Sequence, residues 1–416
     1  MLITSALRYS IYLAILFFYL TSIDPVVNFF GYDQRIFIPI STSKLHFSDI
    51  FAFFLFLLNF IFLLHYKVPR QVMSLFLFVF FIGIYILVYS YFLKGPENIF
   101  ADFRVFFYSL YALGFYFSFS DERSFKRLLN FIVALFIFHL LYQFLDRLNG
   151  GSLFIFDKSN FARFFEINLL GLMALISLLR SCKAPLRMFY WVVIILDIWM
   201  LIIGISRGVW IANLSMIFLY SLLKIKKLSS FFKIIIKTIF LIAVFFLLSI
   251  YFDFFKSILD YLRDITEIKG TALARYKAWE YLLIKMEGHY FFGKGLGDPG
   301  ANINAFVDIG HTKLFMGSAH NSLLILFYHI GLIGLIGVLA IPIYLVYKFI
   351  RSGFDNKSNT FVAGFLAYLI LILSTPLSPK THFLFWIYIG ILFSSMRLGG
   401  HINHPLLSNI SYAKQK

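Results

Sequence analysis

The chain has 416 residues, of which 61% are hydrophobic and only 14% are charged, and it contains 56 phenylalanines. A typical soluble domain has about 25% charged residues, because folded proteins need polar groups to cover their surface. This composition excludes an ordinary soluble enzyme and a disordered chain, and it indicates a polytopic membrane protein. The net charge of +17 falls mostly in short connectors between apolar runs, so we expect no nucleic-acid partner.

The predicted fold is an all-α polytopic membrane protein with about twelve transmembrane helices, since a spanning helix needs roughly 20 apolar residues. The first run is interpreted as a span, because no small-x-small cleavage site precedes Asp24. The run at 102–120 is the least typical, because it contains Arg104 and several tyrosines. In chain order the runs lie at 6–23, 46–66, 72–93, 102–120, 128–145, 164–180, 188–204, 208–224, 234–252, 320–346, 360–375 and 382–396.

The distribution of basic residues predicts that both termini are cytoplasmic. With the N-terminus inside, the basic connectors at 123–127 and 224–237 face the cytoplasm, as the positive-inside rule requires. Four parts follow from this arrangement. Residues 1–251 hold helices 1–9, residues 252–319 form one long outer loop, residues 320–396 hold helices 10–12, and residues 397–416 form a cytoplasmic tail.

The outer loop is the part of the chain that most resembles a soluble protein. Its stretches 258–267 and 273–287 alternate apolar and polar residues at helical spacing, which predicts amphipathic helices at the outer membrane–water boundary. The second stretch is expected to place Leu273, Trp279, Leu282 and Leu283 broadly on one side. A glycine-rich turn region at 291–300 and a polar stretch complete the loop.

Three residues with chemically useful side chains are predicted to share the outer face. Arg207 lies in a tight turn at the start of span eight, where free backbone N–H groups and a positive helix end favour a phosphate. Arg275 lies in the second loop helix, and His320, which can transfer a proton near neutral pH, begins span ten. Each position also fits a structural role: a snorkelling arginine, a solvated helix face and a helix cap, respectively.

Other polar residues give weaker signals. His329, deeper in span ten, is expected to be buried and hydrogen-bonded to another helix, and Asp197, inside span seven, is expected to pair with a neighbouring helix. The segment GKGLG follows no strand and is not a dinucleotide motif. No metal-ligand spacing occurs, and the single cysteine, Cys182, excludes an intramolecular disulfide.

Four motifs in a fixed order carry a family resemblance. They are S-R-G-x-W at Ser206–Trp210, R-x-x-x-W at Arg275–Trp279, a G-x-G turn at Gly295–Gly297, and H-N-S-L-L at His320–Leu324, which leads into G-L-I-G-L at Gly331–Leu335. Their order, spacing and shared outer face resemble the superfamily of bacterial O-antigen ligases and the related O-antigen polymerases. The motifs cover about a third of the chain, roughly 200–340.

The resemblance implies an all-helical glycosyltransferase of the bacterial inner membrane. Such enzymes take a glycan from undecaprenyl pyrophosphate at the periplasmic face, without a cofactor or metal. Ligases pass it to lipid A–core, and polymerases pass it to another lipid-linked repeat unit. By the resemblance, His320, Arg207 and Arg275 are the expected catalytic groups, and Lys277, Trp279 and Asn321 are expected to bind substrate with the two arginines.

The chemistry of these residue types agrees with that expectation. Arginines stabilise a pyrophosphate leaving group through bidentate contacts, and a histidine can take the proton of the attacking hydroxyl. A transporter or lipid flippase would suit the span count equally well, but it predicts repeats and ionisable groups near the middle of the membrane. A structural or partner-binding membrane protein would not require the outer arginines and histidine.

Overall fold

The architecture is helical, as the composition predicts. The computed structural model describes residues 2–20, 35–36, 45–65, 68–95, 99–149, 165–179, 181–203, 207–224, 271–298, 305–309, 312–316, 319–351, 358–373, 375 and 379–400. In these ranges the helices are α1 (Leu2–Leu20), α2 (Phe47–His65), α3 (Arg70–Lys94), α4 (Ile99–Phe107), α5 (Ser109–Ser118), α6 (Glu122–Asn149), α7 (Phe165–Leu179), α8 (Ala184–Ile203), α9 (Arg207–Leu223), α10 (Thr271–Lys285), α11 (Ser322–Arg351), α12 (Asn359–Ile372) and α13 (Pro379–Leu398).

Several of these helices have the length and composition of membrane spans. Five stretches of the described residues qualify: Arg70–Lys94, Glu122–Leu145, Ala184–Leu201, Ser322–Arg351 and Thr381–Leu398. Five shorter apolar helices accompany them, at Ile3–Tyr19, Asp49–His65, Asn168–Leu179, Ile211–Leu223 and Asn359–Ile372. The chain is therefore a multi-pass membrane protein. Eleven of the twelve predicted apolar runs coincide with helices, and the run at 234–252 lies outside the described residues.

The run at 102–120 is divided into α4 and α5 by a turn at Tyr108. Here the Nε–H of Arg104 donates to both carboxylate oxygens of Asp49, at 2.9 and 3.0 Å, and the Tyr108 hydroxyl donates to the same carboxylate at 2.6 Å. Arg104 and Asp49 are each only 3% exposed. A charged side chain inside a helical bundle needs such a partner, because removing it from water is costly.

Two short antiparallel strand pairs, which were not predicted, lie between helices. Strand β1 (Arg35–Ile36) pairs with β2 (Leu45–His46), and β3 (Ala305–Ile309) pairs with β4 (Thr312–Met316). The second pair falls in the polar stretch of the outer loop. Its short strands contain β-branched and aromatic residues, which favour extended backbone, and their register places Asp308 opposite Lys313.

The centre of the bundle is closely packed around α13. In its stretch Thr381–Leu398, 89% of the residues are buried. Small residues allow this packing: a Cβ atom at Gly390 would lie 2.6 Å from the Phe115 ring, and one at Gly171 would lie 2.2 Å from the Phe136 ring. Close approach at glycine is typical of helices associated in a membrane. The bundle is thus a rigid base from which the outer segments project.

Asp197 and His329, two buried polar residues of the bundle, differ in their contacts. The Asp197 carboxylate is fully buried on α8 and makes no hydrogen bond with the described residues, so the expected pairing with a neighbouring helix is not found there. His329 is buried as expected, but its Nδ1 bonds the Gly295 carbonyl, in the outer loop, at 3.2 Å. The stretch 258–267, predicted as the first loop helix, lies outside the described residues.

Candidate active site at one end of the bundle

The helix that carries Arg275 is docked on the first turns of α11. Ala278, Leu282 and Met286 form a buried cluster with Ala319, Ile325 and Tyr328. Arg275 precedes Ala278 by three residues and Leu282 by seven, so it belongs to the same face of α10. The amphipathic helix predicted over 273–287 is confirmed as α10, but Leu283, expected on the buried side, is 43% exposed.

A hydrogen bond connects α10 to the backbone just before His320. The indole N–H of Trp279, which is partly buried, donates to the Ala319 carbonyl at 2.8 Å. Ala319 itself is fully buried. Trp279 therefore connects the residues just before α11 to the helix that carries Arg275.

His320 has an unusual backbone conformation. Its φ of 47° lies in the left-handed region, which residues other than glycine rarely adopt. The neighbouring bonds hold it there. Asn321 begins α11 as a cap, because its Oδ1 accepts the Leu324 N–H at 3.0 Å, and the Ser322 hydroxyl donates to the Thr375 carbonyl at 2.8 Å. Such strained residues persist only where surrounding contacts fix them, and they often lie at functional sites.

Arg275 and His320 are close enough to interact electrostatically. Burial lowers the pKa of His320, and the positive charge of Arg275 lowers it further. Burial also lowers the pKa of the Arg275 guanidinium. The imidazole is consequently favoured in its neutral form, which can accept a proton, beside a cation that can hold an anionic group.

Arg207 begins α9 at the same end of the bundle. Helices α9 and α12 are antiparallel neighbours, and the Asn359 amide donates to the Leu223 carbonyl at 3.0 Å at the far end of the pair. Because these two helices are antiparallel, the start of α9, which carries Arg207, lies toward the C-terminal end of α12. The Arg207 side chain lies outside the described residues.

The remaining expected substrate-binding residues differ in exposure. Lys277 is exposed on α10, and Asn321 is partly buried with its side-chain oxygen used in the cap. No motif or pattern singles out Thr375, which lies 55 residues after His320. Its carbonyl accepts the Ser322 hydroxyl, and its own buried hydroxyl makes no hydrogen bond with the described residues.

A comparison with known families covers this part of the chain. Residues 192–339 match the family model described as O-antigen ligase. This segment is similar to the O-antigen ligase family. The match confirms the resemblance drawn from the four motifs, and it contains Arg207, Arg275 and His320. No curated protein matches the chain.

The O-antigen ligase segment runs from within α8 to within α11 and includes the outer loop. The match supports a membrane enzyme of the O-antigen ligase and polymerase kind, a family whose substrates are lipid-linked glycans. Two of the motifs, Arg275–Trp279 and His320–Leu324, lie where α10 is docked on the start of α11.

Proposed function

We propose that this protein is an O-antigen ligase, which transfers a glycan from undecaprenyl pyrophosphate to lipid A–core in lipopolysaccharide biosynthesis. The observation that carries the proposal is the docking of the helix that carries Arg275 against the start of α11, beside His320: the Trp279 N–H donates to the Ala319 carbonyl at 2.8 Å, within the segment that matches the O-antigen ligase model. The proposed location is the bacterial inner membrane, with both termini in the cytoplasm and the site at the periplasmic face.

His320 is the proposed general base. The acceptor hydroxyl attacks the anomeric carbon of the donor, its proton passes to the imidazole, and the bond from that carbon to the pyrophosphate oxygen breaks. A base must be neutral at the working pH to accept the proton. The lowered pKa of His320, caused by burial and then by Arg275, favours that form.

Arg275 and Arg207 are proposed to hold the pyrophosphate as negative charge develops on it. A guanidinium presents planar donors that match phosphate oxygens, and partial burial reduces competition from water. Arg275 is partly buried on α10, and Arg207 stands at the first turn of α9, where backbone N–H groups and the helix dipole favour an anion.

The other contacts proposed with substrate come from three side chains near His320. Exposed Lys277 adds positive charge on α10, and the ring of Trp279 offers an apolar surface to a sugar. The Asn321 oxygen is occupied by the helix cap, so its amide N–H groups are the donors proposed to meet the acceptor sugar.

Transfer by the purified full-length protein tests the proposal. The assay contains undecaprenyl-pyrophosphate-linked glycan and lipid A–core in detergent, without ATP. We expect glycan on lipid A–core with the wild-type protein and a loss of transfer in Arg275→Ala and His320→Ala. Lys285→Ala, on the same helix, and His289→Ala, in the following turn, are matched controls that should retain transfer.

The same assay separates the two family reactions. Longer lipid-linked glycans with unmodified lipid A–core would identify an O-antigen polymerase instead. Full transfer by His320→Ala would refute the assignment of the base. An absence of transfer under conditions in which an established ligase is active would refute the ligase proposal.

A further inference from the structure

Helix α11 is interrupted at Gly331, within a stretch that is apolar enough to span a membrane. The backbone there has φ 63° and ψ −170°, which divides the helix into a first segment, 322–330, and a second segment, 332–351. In an uninterrupted helix the N–H groups of Leu332 and Ile333 would donate to the carbonyls of Tyr328 and His329. The break leaves these four groups in need of other partners, because unsatisfied backbone groups are costly inside a membrane.

The outer loop supplies all four partners. The N–H groups of Lys294 and Gly295 donate to the Tyr328 and His329 carbonyls, at 2.8 and 3.1 Å. In return, Leu332 and Ile333 donate to the carbonyls of Tyr290 and Phe291, at 2.9 and 3.1 Å. The loop is thus inserted into the hydrogen-bond ladder of the helix, and it bonds both segments at once.

Two glycines permit this insertion. Gly293 has φ 75°, and a Cβ atom there would lie 2.4 Å from the His329 carbonyl oxygen and 2.6 Å from the Gly331 nitrogen. A Cβ atom on Gly331 would lie 2.4 Å from both the Gly293 nitrogen and the Phe291 oxygen. Real Cβ atoms do not approach backbone so closely, so any side chain at either position displaces the loop from the helix.

The loop is also fixed to α3. The Leu296 N–H donates to the buried Ser90 hydroxyl at 2.8 Å. A salt bridge of 2.7 Å joins Lys94 at the end of α3 to Asp298, whose carboxylate also accepts the Tyr328 hydroxyl at 3.3 Å. The inserted loop therefore connects α3 with both segments of α11.

The first segment of α11 and helix α10 pack together as one unit, because Ala278 and Leu282 are buried in one cluster with Ile325 and Tyr328. This unit carries both Arg275 and His320. The inserted loop begins soon after α10 ends and bonds the second segment, so it determines how the unit is oriented on the spanning helices.

We propose that residues 290–298 form a joint that fixes the Arg275–His320 pair over the membrane bundle, with Gly293 and Gly331 as positioning residues for glycan transfer. The part that concerns transfer rests on the function proposed above. The geometric part does not, because the orientation of α10 relative to the second segment of α11 is measurable in the protein alone.

Double electron–electron resonance measures that orientation. Spin labels are attached at Ile284 on α10 and Ile336 on the second segment, which are 63% and 49% exposed, after Cys182→Ser removes the single native cysteine. The test variant is Gly293→Ala. Gly288→Ala is the matched control, because Gly288 has nearly the same φ, 77°, but an added Cβ atom meets nothing within 4 Å.

We expect the wild-type protein and Gly288→Ala to give the same narrow distance distribution, and Gly293→Ala and Gly331→Ala to give a shifted or broadened one. In the transfer assay, kcat should fall on the order of tenfold to a hundredfold in the latter two, with the donor KM little changed, because misplacement affects the reacting groups more than binding.

A distance distribution for Gly293→Ala identical to that of Gly288→Ala would refute the proposed joint, whatever the transfer activity of the two variants. If Gly293→Ala does not fold, Ser90→Ala replaces it, since this change removes the bond to Leu296 without adding an atom. An unchanged distribution in Ser90→Ala would then overturn the proposal. A shifted distribution in a protein whose wild-type form transfers no glycan would refute the proposed function alone.

Discussion

The indole N–H of Trp279 donates a hydrogen bond of 2.8 Å to the carbonyl of Ala319, which immediately precedes His320. This bond joins the helix that carries Arg275 to the residue before His320, whose own backbone has a positive φ. Arg275 and His320 are 45 residues apart in the sequence. The distance between their side chains depends on how firmly α10 is held against the start of α11.

Trp279→Phe should weaken that connection while keeping an aromatic ring in the same place. The Ala319 carbonyl loses its donor, which costs about 1 kcal/mol of stability, and we expect kcat for glycan transfer to fall. Trp191→Phe is the control, because Trp191 is 54% exposed on α8, away from the site. Thermal unfolding in detergent and steady-state kinetics measure the two effects. Equal kinetics in both variants would contradict the positioning role of Trp279.

The pKa of His320 should respond to the charge of Arg275. Burial and then Arg275 lower this pKa from its ordinary value of 6.5. Arg275→Gln removes the second cause, so the pKa should rise toward the ordinary value and the acid limb of the pH–rate profile should move to higher pH. Arg275→Lys keeps the charge and should leave the pKa low.

Nuclear magnetic resonance of ¹³C-labelled histidine measures this titration directly, with His320→Asn identifying the resonance. The wild-type midpoint should lie below that of Arg275→Gln. Coincident titration curves for Arg275→Gln and Arg275→Lys would show that the charge at position 275 does not act on the imidazole.

The sequence predicted the helices well, because membrane spans are encoded locally by apolar runs of sufficient length. It also identified Arg275 and His320 as residues of one face. It could not predict their approach, because that depends on the packing of Leu282 against Ile325 across the outer loop. The close approach of Gly293 to Gly331 could not be predicted either, because the positions of glycines in a sequence do not show which backbone segments pack against them.

For the buried charges in the bundle, too, the sequence indicates the unusual residue but not its distant partner. Arg104 was recognised as unusual in an apolar run, but its partner, Asp49, lies 55 residues away and was not identified. The contact requires two separate helices, α2 and α4, to pack together. The predicted single span at 102–120 is two helices, and the hydroxyl of Tyr108, at the turn between them, donates to the same carboxylate.

Arg104→Met should destabilise the protein strongly, because it removes the guanidinium that pairs with the buried Asp49 carboxylate. Breaking a buried pair in this way costs about 3–5 kcal/mol. Asp49→Leu combined with Arg104→Met removes both charges and should be less destabilising than Arg104→Met alone. Arg351→Met, at an exposed position, is the control and should change little. The measurement is the midpoint of thermal unfolding in detergent, and a double variant less stable than Arg104→Met would contradict the argument.

Ser322→Ala should reduce both stability and transfer. Its hydroxyl is buried and donates to the Thr375 carbonyl at 2.8 Å, which ties the start of α11 to the segment that follows α12. Loss of this bond costs on the order of 1 kcal/mol, and it should also loosen His320 relative to Arg207, so kcat should fall.

Ser395→Ala is a closely matched control for that change. Ser395 is also 2% exposed, and its hydroxyl donates at 2.8 Å to the Leu392 carbonyl, but it lies at the opposite end of the bundle, where its own carbonyl meets Ser358. Ser395→Ala should lower the unfolding midpoint by a similar amount and leave kcat near the wild-type value. If both variants lose stability and transfer in parallel, Ser322 contributes only to the stability of the bundle. If Ser322→Ala alone loses transfer, the bond to Thr375 helps to assemble the site from α9, α11 and α12.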